Sequence, residues 1–255
     1  MRFQKFYKKI IRKSKLISFY WEKKYTEAKK EKNINKIITL INKLDLFERK
    51  NIIYPKINRI IWIKSKSLNS FLYNPQTEKS VEKIEFYNNF FRPGNWDIYQ
   101  KNLFPYYLER ENEIGAIGFR TIFQLFEQGI DFCNTDEYKA MKDIMSKKEL
   151  ENRFFKYKKT LKNIKNNSYK SQLELREGLK GRKIYDEIRI AIDRNGEFSY
   201  ICSSGNHRLA MAKMLDIKEI PVIVDGIHKE LIKNHSNNLL QDINDFLNKI
   251  DVRKN

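Results

Sequence analysis

The sequence predicts an α+β protein in which a small mixed sheet is surrounded by many helices, and three observations predict it. Ile188, Ile190 and Ile192 alternate with Arg189, Ala191 and Asp193, the period-two signal of a half-buried strand over Glu187–Asp193. Asn195-Gly196 follows, a dipeptide that reaches positive φ readily and suits a tight hairpin, and Phe198, Tyr200 and Cys202 resume the alternation. After Ser203-Ser204-Gly205 the segment HRLAMAKML reads as a helix, with Leu209, Ala212 and Leu215 on one side, and Ile220–Val224 supplies a further strand.

The remaining elements follow in chain order. Residues 1–50 read as a basic helical segment, where Phe3, Phe6, Ile10 and later Ile34, Ile37, Ile38 and Ile41 recur at helical spacing. Residues 51–230 read as the main domain. It opens on the β-branched strand Ile57–Lys64, passes a polar connection at Ser65–Ser70 and a loop at Asn74–Ser80, and breaks at Pro93-Gly94. A helical insertion covers about 98–180, with Phe119, Ile122, Phe123 and Phe126 in one stretch and Phe154, Phe155, Tyr157, Leu161 and Ile164 in another. Residues 231–255 hold a closing amphipathic helix over Leu239–Ile250.

Composition narrows the classes of function. The 255 residues are 41% hydrophobic and 13% aromatic, enough for a packed core. A net charge of +19, from 51 Lys and Arg against 32 Asp and Glu, favours anionic partners such as nucleic acid, acidic lipid or phosphorylated ligands. AT-rich codon usage is the competing source for part of it, since Lys, Asn and Ile dominate while Gly (9) and Pro (5) are scarce. Cys133 and Cys202 stand far apart without a CxxC or Cys/His cluster, which argues against zinc and against a disulfide scaffold. No apolar run approaches the ~20 residues that span a bilayer. A cytoplasmic protein is expected, with residues 1–20 available for peripheral membrane contact.

Chemistry is concentrated at Ser203, Ser204, Gly205, Asn206, His207 and Arg208. A strand delivers the chain to a small-residue turn that opens directly into a helix, whose first N–H groups lack intrahelical partners. Gly205 lets backbone approach an anion, the serines donate, and Arg208 offers a planar fork to phosphate oxygens. His207 is expected to donate to phosphate or to shuttle a proton. Glu187, with Asp186, reads either as a general base or magnesium ligand beside the turn, or as a surface acid at a strand start. Asp97, after Trp96 and with Arg92 as counter-charge, reads as a pocket acid or as a structural cap. Asp193 reads as a turn residue, and His228 as pointing back to the same cleft.

The run EIRIAIDRNGEFSYICSSGNHRLAMAKMLDIKEIPVIV resembles the ParB/sulfiredoxin-like nucleotide-binding superfamily, through Gly205-Asn206-His207-Arg208, Ala212 and Ile220-Pro221-Val222. Gly94–Asp97 resembles the "GNWD" element, and Tyr169, Ser171, Gln172, Glu174 and Leu175 the "YxSQxEL" element, of an uncharacterised microbial branch. The resemblance implies a ParB/sulfiredoxin-like sheet and a phosphate-binding turn. Asn206 stands where sulfiredoxins carry their nucleophilic cysteine, so sulfinic-acid repair is not expected. Too little chain follows Val224 for the DNA reader of partition proteins. The turn is most similar to the Gly-His-His-Arg turn of free-serine kinases, although Ile227-His228 lacks the arginine of the branch's Arg-His pair.

The expected function is therefore nucleotide-phosphate binding, with a triphosphate (ATP or CTP) and Mg²⁺ as cofactors and transfer of phosphate to a small hydroxyl-bearing acceptor. Glu187 or Asp97 would activate that hydroxyl, with His207 beside them. The competing expectation is a non-catalytic, nucleotide-responsive binding protein, associated with DNA or peripheral to the membrane, whose contacts to nucleic acid are non-specific.

Overall fold

The computed structural model describes residues 60–76, 79–80, 90–109, 114–172, 174–176, 187–201, 205–232 and 239–254. The expectations for residues 1–50, Asp186, Cys202, Ser203 and Ser204 lie outside the described residues. The architecture is α+β, with one mixed sheet of eight strands. In chain order these are β1 (Ile60–Lys64), β2 (Ser70–Asn74), β3 (Lys79–Ser80), β4 (Phe91–Arg92), β5 (Gln100–Asn102), β6 (Ile188–Ile192), β7 (Phe198–Tyr200) and β8 (Glu219–His228). The order across the sheet is β1-β8-β6-β7-β2-β3, with β4 on β8 and β5 on β2.

The mixed sheet has four strands beyond the four read from sequence, because those four carry no strand signal. SFLYN of β2 follows a serine-rich 3₁₀ turn and is not alternating. The Asn74–Ser80 loop is the tip of a β2–β3 hairpin, turned by the Asn74 side chain accepting from the Gln76 N–H at 2.9 Å. β5 is short, polar and pairs with β2 inside the stretch expected to be helical.

At the centre, β6 runs parallel to β8 and antiparallel to β7. All five residues of β6 are buried, so the half-buried strand read from alternation is covered on both faces. Ile188, Ile190 and Ile192 join Leu209, Met211 and Ala212 in the main core, and Ala191 packs with Leu72, Ile201 and Trp96 on the other side. That second face also holds the buried pair Arg189–Asp225, whose guanidinium reaches both carboxylate oxygens at 2.6 and 2.7 Å. A bulge lets β8 accommodate it: Ile190 pairs with Val224 and Ala191 with Gly226, leaving Asp225 as the extra residue.

The β6–β7 connection is wider than a two-residue hairpin. Asp193 Oδ1 accepts from the N–H groups of Asn195 and Glu197, both at 2.8 Å, and Gly196 takes φ +85°. Asp193 is thus the turn residue expected. The helices over the main core are α1 (Leu103–Glu109), α2 (Ile114–Phe126), α3 (Asp136–Met141), α4 (Lys147–Asn167), α5 (Asn206–Met214) and α6 (Leu239–Ile250). α2 packs along α5, and α4 starts at a capping box in which Ser146 and Glu149 bond reciprocally.

Candidate functional site

The start of α5 is fixed by Gly205. Its φ of +77° lies in the left-handed region, and a Cβ there would sit 2.7 Å from the Ile188 backbone. The glycine therefore serves the close approach of turn to strand, and the helix opens against the first residues of β6. The N–H groups of Asn206, His207 and Arg208 donate to no described residue, and Gly205 offers no side-chain cap. They form the positive end of the helix dipole.

Three side chains leave this turn in three directions. Asn206 Oδ1 accepts from the buried Tyr200 hydroxyl. Arg208 turns inward, 8% exposed, where it pairs with Glu187, donates to the Lys170 carbonyl and stacks over the Tyr169 ring at 4.6 Å. Glu187 is fully buried and also accepts from the Gln172 N–H at 3.0 Å. Burial pushes its carboxyl up to about 7, against the opposing pull of the Arg208 charge. This arrangement corrects the outward phosphate fork expected of Arg208: its guanidinium ties α5 to β6 and to the Tyr169–Gln172 segment. Glu187 likewise faces Arg208 and the Gln172 N–H. It is no surface acid either.

His207 turns the other way, into the helical layer. Its ring stacks on Tyr157 at 4.5 Å, and its Nε2–H donates to Glu137 Oε2 at 3.2 Å. Glu137, 3% exposed, also accepts from Arg153 and from the Tyr157 hydroxyl at 2.7 Å, while its own N–H donates to Thr121 Oγ1. Burial alone would raise the Glu137 carboxyl, but hydrogen bonding and charge from His207, Tyr157 and Arg153 outweigh it and bring it down to about 2. Sequence reading missed Glu137, Tyr157 and Arg153 as a group. Their spacing signals only helices, although Gly118 on α2 marks the site, since a Cβ there would lie 2.9 Å from His207 Nε2.

Asp97 belongs to a different place. It is buried near the Asp193–Glu197 connection, where Arg194 grips both its oxygens at 2.7 and 2.8 Å and the Arg194 N–H adds a bond at 3.1 Å. Burial would raise the Asp97 carboxyl, and the Arg194 bonds lower it overall. Its counter-charge is Arg194, while the Arg92 carbonyl accepts from Trp96 Nε1. His228 closes the cluster: Nε2 donates to the Gly94 carbonyl at 2.7 Å, Nδ1 accepts from the Glu230 N–H at 3.1 Å, and the ring lies 5.6 Å from Trp96. With both nitrogens so engaged, His228 acts as a strut between these segments.

Glu187 precedes β6 and Arg194 follows it. At ~3.3 Å per residue, their clusters are roughly 20 Å apart. The expected catalytic set Glu187, Asp97 and His207 is therefore not assembled in one cleft. Instead, the Tyr169–Gln172 segment gathers around Glu187 and Arg208, and the Gly94–Asp97 segment around Arg194 and His228. Among the described residues no group of three or more His, Cys, Asp or Glu could hold a metal ion, and no helix is long and apolar enough to cross a membrane. No family model, curated protein or solved structure matches the chain.

Proposed function

We propose that the chain binds the phosphate groups of a nucleotide at the N-terminus of α5. The observation that carries this reading is the set of N–H groups at Asn206, His207 and Arg208 that donate to no described residue, at a helix start that Gly205 lets pack against β6. Arg208 acts from inside by fixing the helix, and the phosphate is met by backbone N–H groups. The carboxylates beside the turn do not fit a protein-held Mg²⁺: Glu187 is bonded to Arg208 and Gln172, and Glu137 to Arg153, Tyr157 and His207.

One observation favours transfer of the bound phosphate to a small hydroxyl acceptor. The Glu137 carboxylate holds the Nε2–H of His207, which leaves Nδ1, on one of the residues that open α5, as the candidate base. His207 takes the place that sequence gave to Glu187 and Asp97.

Titration of isotopically labelled full chain with ATP and CTP tests the binding. Saturable shifts of the Asn206, His207 and Arg208 amides are expected, and their absence with both nucleotides overturns the reading. Phosphorus spectra of the same samples, with small alcohols added, separate transfer from binding alone.

A further inference from the structure

We propose that the outer face of α4 binds a single-stranded polynucleotide. Beyond Glu151 the helix carries no acid, while Lys156, Lys158, Lys159, Lys162 and Lys165 are all exposed. None of the five forms an ion pair with a described residue; Lys158 covers the half-buried Phe154 ring instead, at 4.5 Å. Phe155 stands among them at 67% exposure. At 100° per residue, Phe155, Lys159 and Lys162 fall within one narrow arc, with Lys158 and Lys165 on its flank and Lys156 on the other side. Lys156 to Lys165 extends over ~14 Å of axis, enough to follow several phosphates of one strand.

The apolar face of this helix is already occupied. Leu150, Tyr157 and Ile164 are buried, and Phe154 stacks on Phe132 at 4.9 Å. A helix that lies in a membrane interface needs a broad apolar stripe opposite its basic face, and α4 has turned that stripe to the core. What remains outside is a row of cations around one aromatic ring, which suits phosphates plus a stacked base. This inference stands on α4 alone and is independent of the nucleotide reading for α5.

The test uses the full chain and labelled oligonucleotides of about twenty nucleotides, single-stranded and duplex, with binding followed by anisotropy across salt. The triple substitution Lys156→Gln/Lys159→Gln/Lys162→Gln should weaken single-strand binding more than tenfold at low salt. It should also reduce the slope of log affinity against log salt by about 2, from ~0.7 per phosphate contact. Phe155→Ala should cost about tenfold on the single strand and little on the duplex. The matched triple Lys66→Gln/Lys142→Gln/Lys218→Gln, also at exposed positions, should change neither, and melting curves verify that both triples fold. Equal losses from the two triples would show diffuse charge and overturn the proposal. Absence of salt-dependent binding overturns it too, as does flotation with phosphatidylserine vesicles that the α4 triple abolishes while no oligonucleotide binds.

Discussion

His207 Nε2 lies 3.2 Å from Glu137 Oε2, while the next residue, Arg208, pairs with Glu187 on the opposite side of the same helical turn. Two adjacent residues thus clamp the start of α5 between two buried carboxylates, one on the helical layer and one on the sheet. Burial is the largest influence on both carboxyls and raises both, but the bonds and charges of His207, Tyr157 and Arg153 outweigh it at Glu137, whereas Arg208 and the Gln172 N–H do not at Glu187.

Glu137→Gln should therefore be costly above the acid range. A carboxyl lowered from an ordinary 4.5 to about 2 stabilises the fold fully above its unfolded value, and that stability is lost as pH falls toward 2. The substitution should cost ~3 kcal/mol at pH 7 and flatten the acid limb of the stability curve. Urea melts at neutral and acid pH check it; equal losses at both would assign the effect to shape and not to charge.

Glu187 should show the reverse slope. Its carboxyl is raised to about 7, so its favourable contribution is complete below the unfolded value near 4.5 and is lost as pH rises through 7. The stability of the native chain relative to Glu187→Gln should fall by ~2 kcal/mol between pH 5 and 8. A difference that rises with pH would mean the Arg208 charge governs the pair.

Gly205→Ala and Gly196→Ala make a matched comparison. Both glycines have positive φ, but a Cβ at Gly196 meets nothing within 4 Å, whereas at Gly205 it meets the Ile188 backbone at 2.7 Å. Gly196→Ala should cost ~1 kcal/mol, the conformational penalty alone. Gly205→Ala should cost at least ~2 kcal/mol more, because neither backbone can yield cheaply. Thermal unfolding of the two variants decides it.

The alternation of Ile188–Ile192, the Asn195-Gly196 turn, the helix after Gly205 and the closing helix Leu239–Ile250 were legible because each carries a local period or a turn residue. β2, β4 and β5 were not, since short strands completed by distant partners leave no period of their own. The same limit applies to charges. Arg208 and Glu187 were visible as residues beside a turn, but whether a guanidinium points out to a ligand or in to a carboxylate depends on how Tyr169–Gln172 folds over it. Arg189, one of the residues alternating with the isoleucines, is buried because it meets Asp225 on a bulge that no local period marks.

Asp97→Asn separates a structural acid from a catalytic one. Asp97 is 5% exposed and is held by both arms and the N–H of Arg194, so losing its charge leaves Arg194 partly unmatched and loosens the Gly94–Asp97 segment from the β6–β7 connection. Breaking this partly exposed pair should show as a lower unfolding midpoint. The α5 turn lies at the opposite end of β6, roughly 20 Å away, beyond direct contact and well outside a Debye length at physiological salt. Nucleotide-induced shifts of the Asn206, His207 and Arg208 amides should therefore persist in Asp97→Asn at unchanged affinity, measured below its melting point. Any phosphate consumption should persist as well. Should the substitution keep the fold but abolish consumption, Asp97 would have to reach the reacting phosphate, and the separation of the two clusters would not describe the working protein.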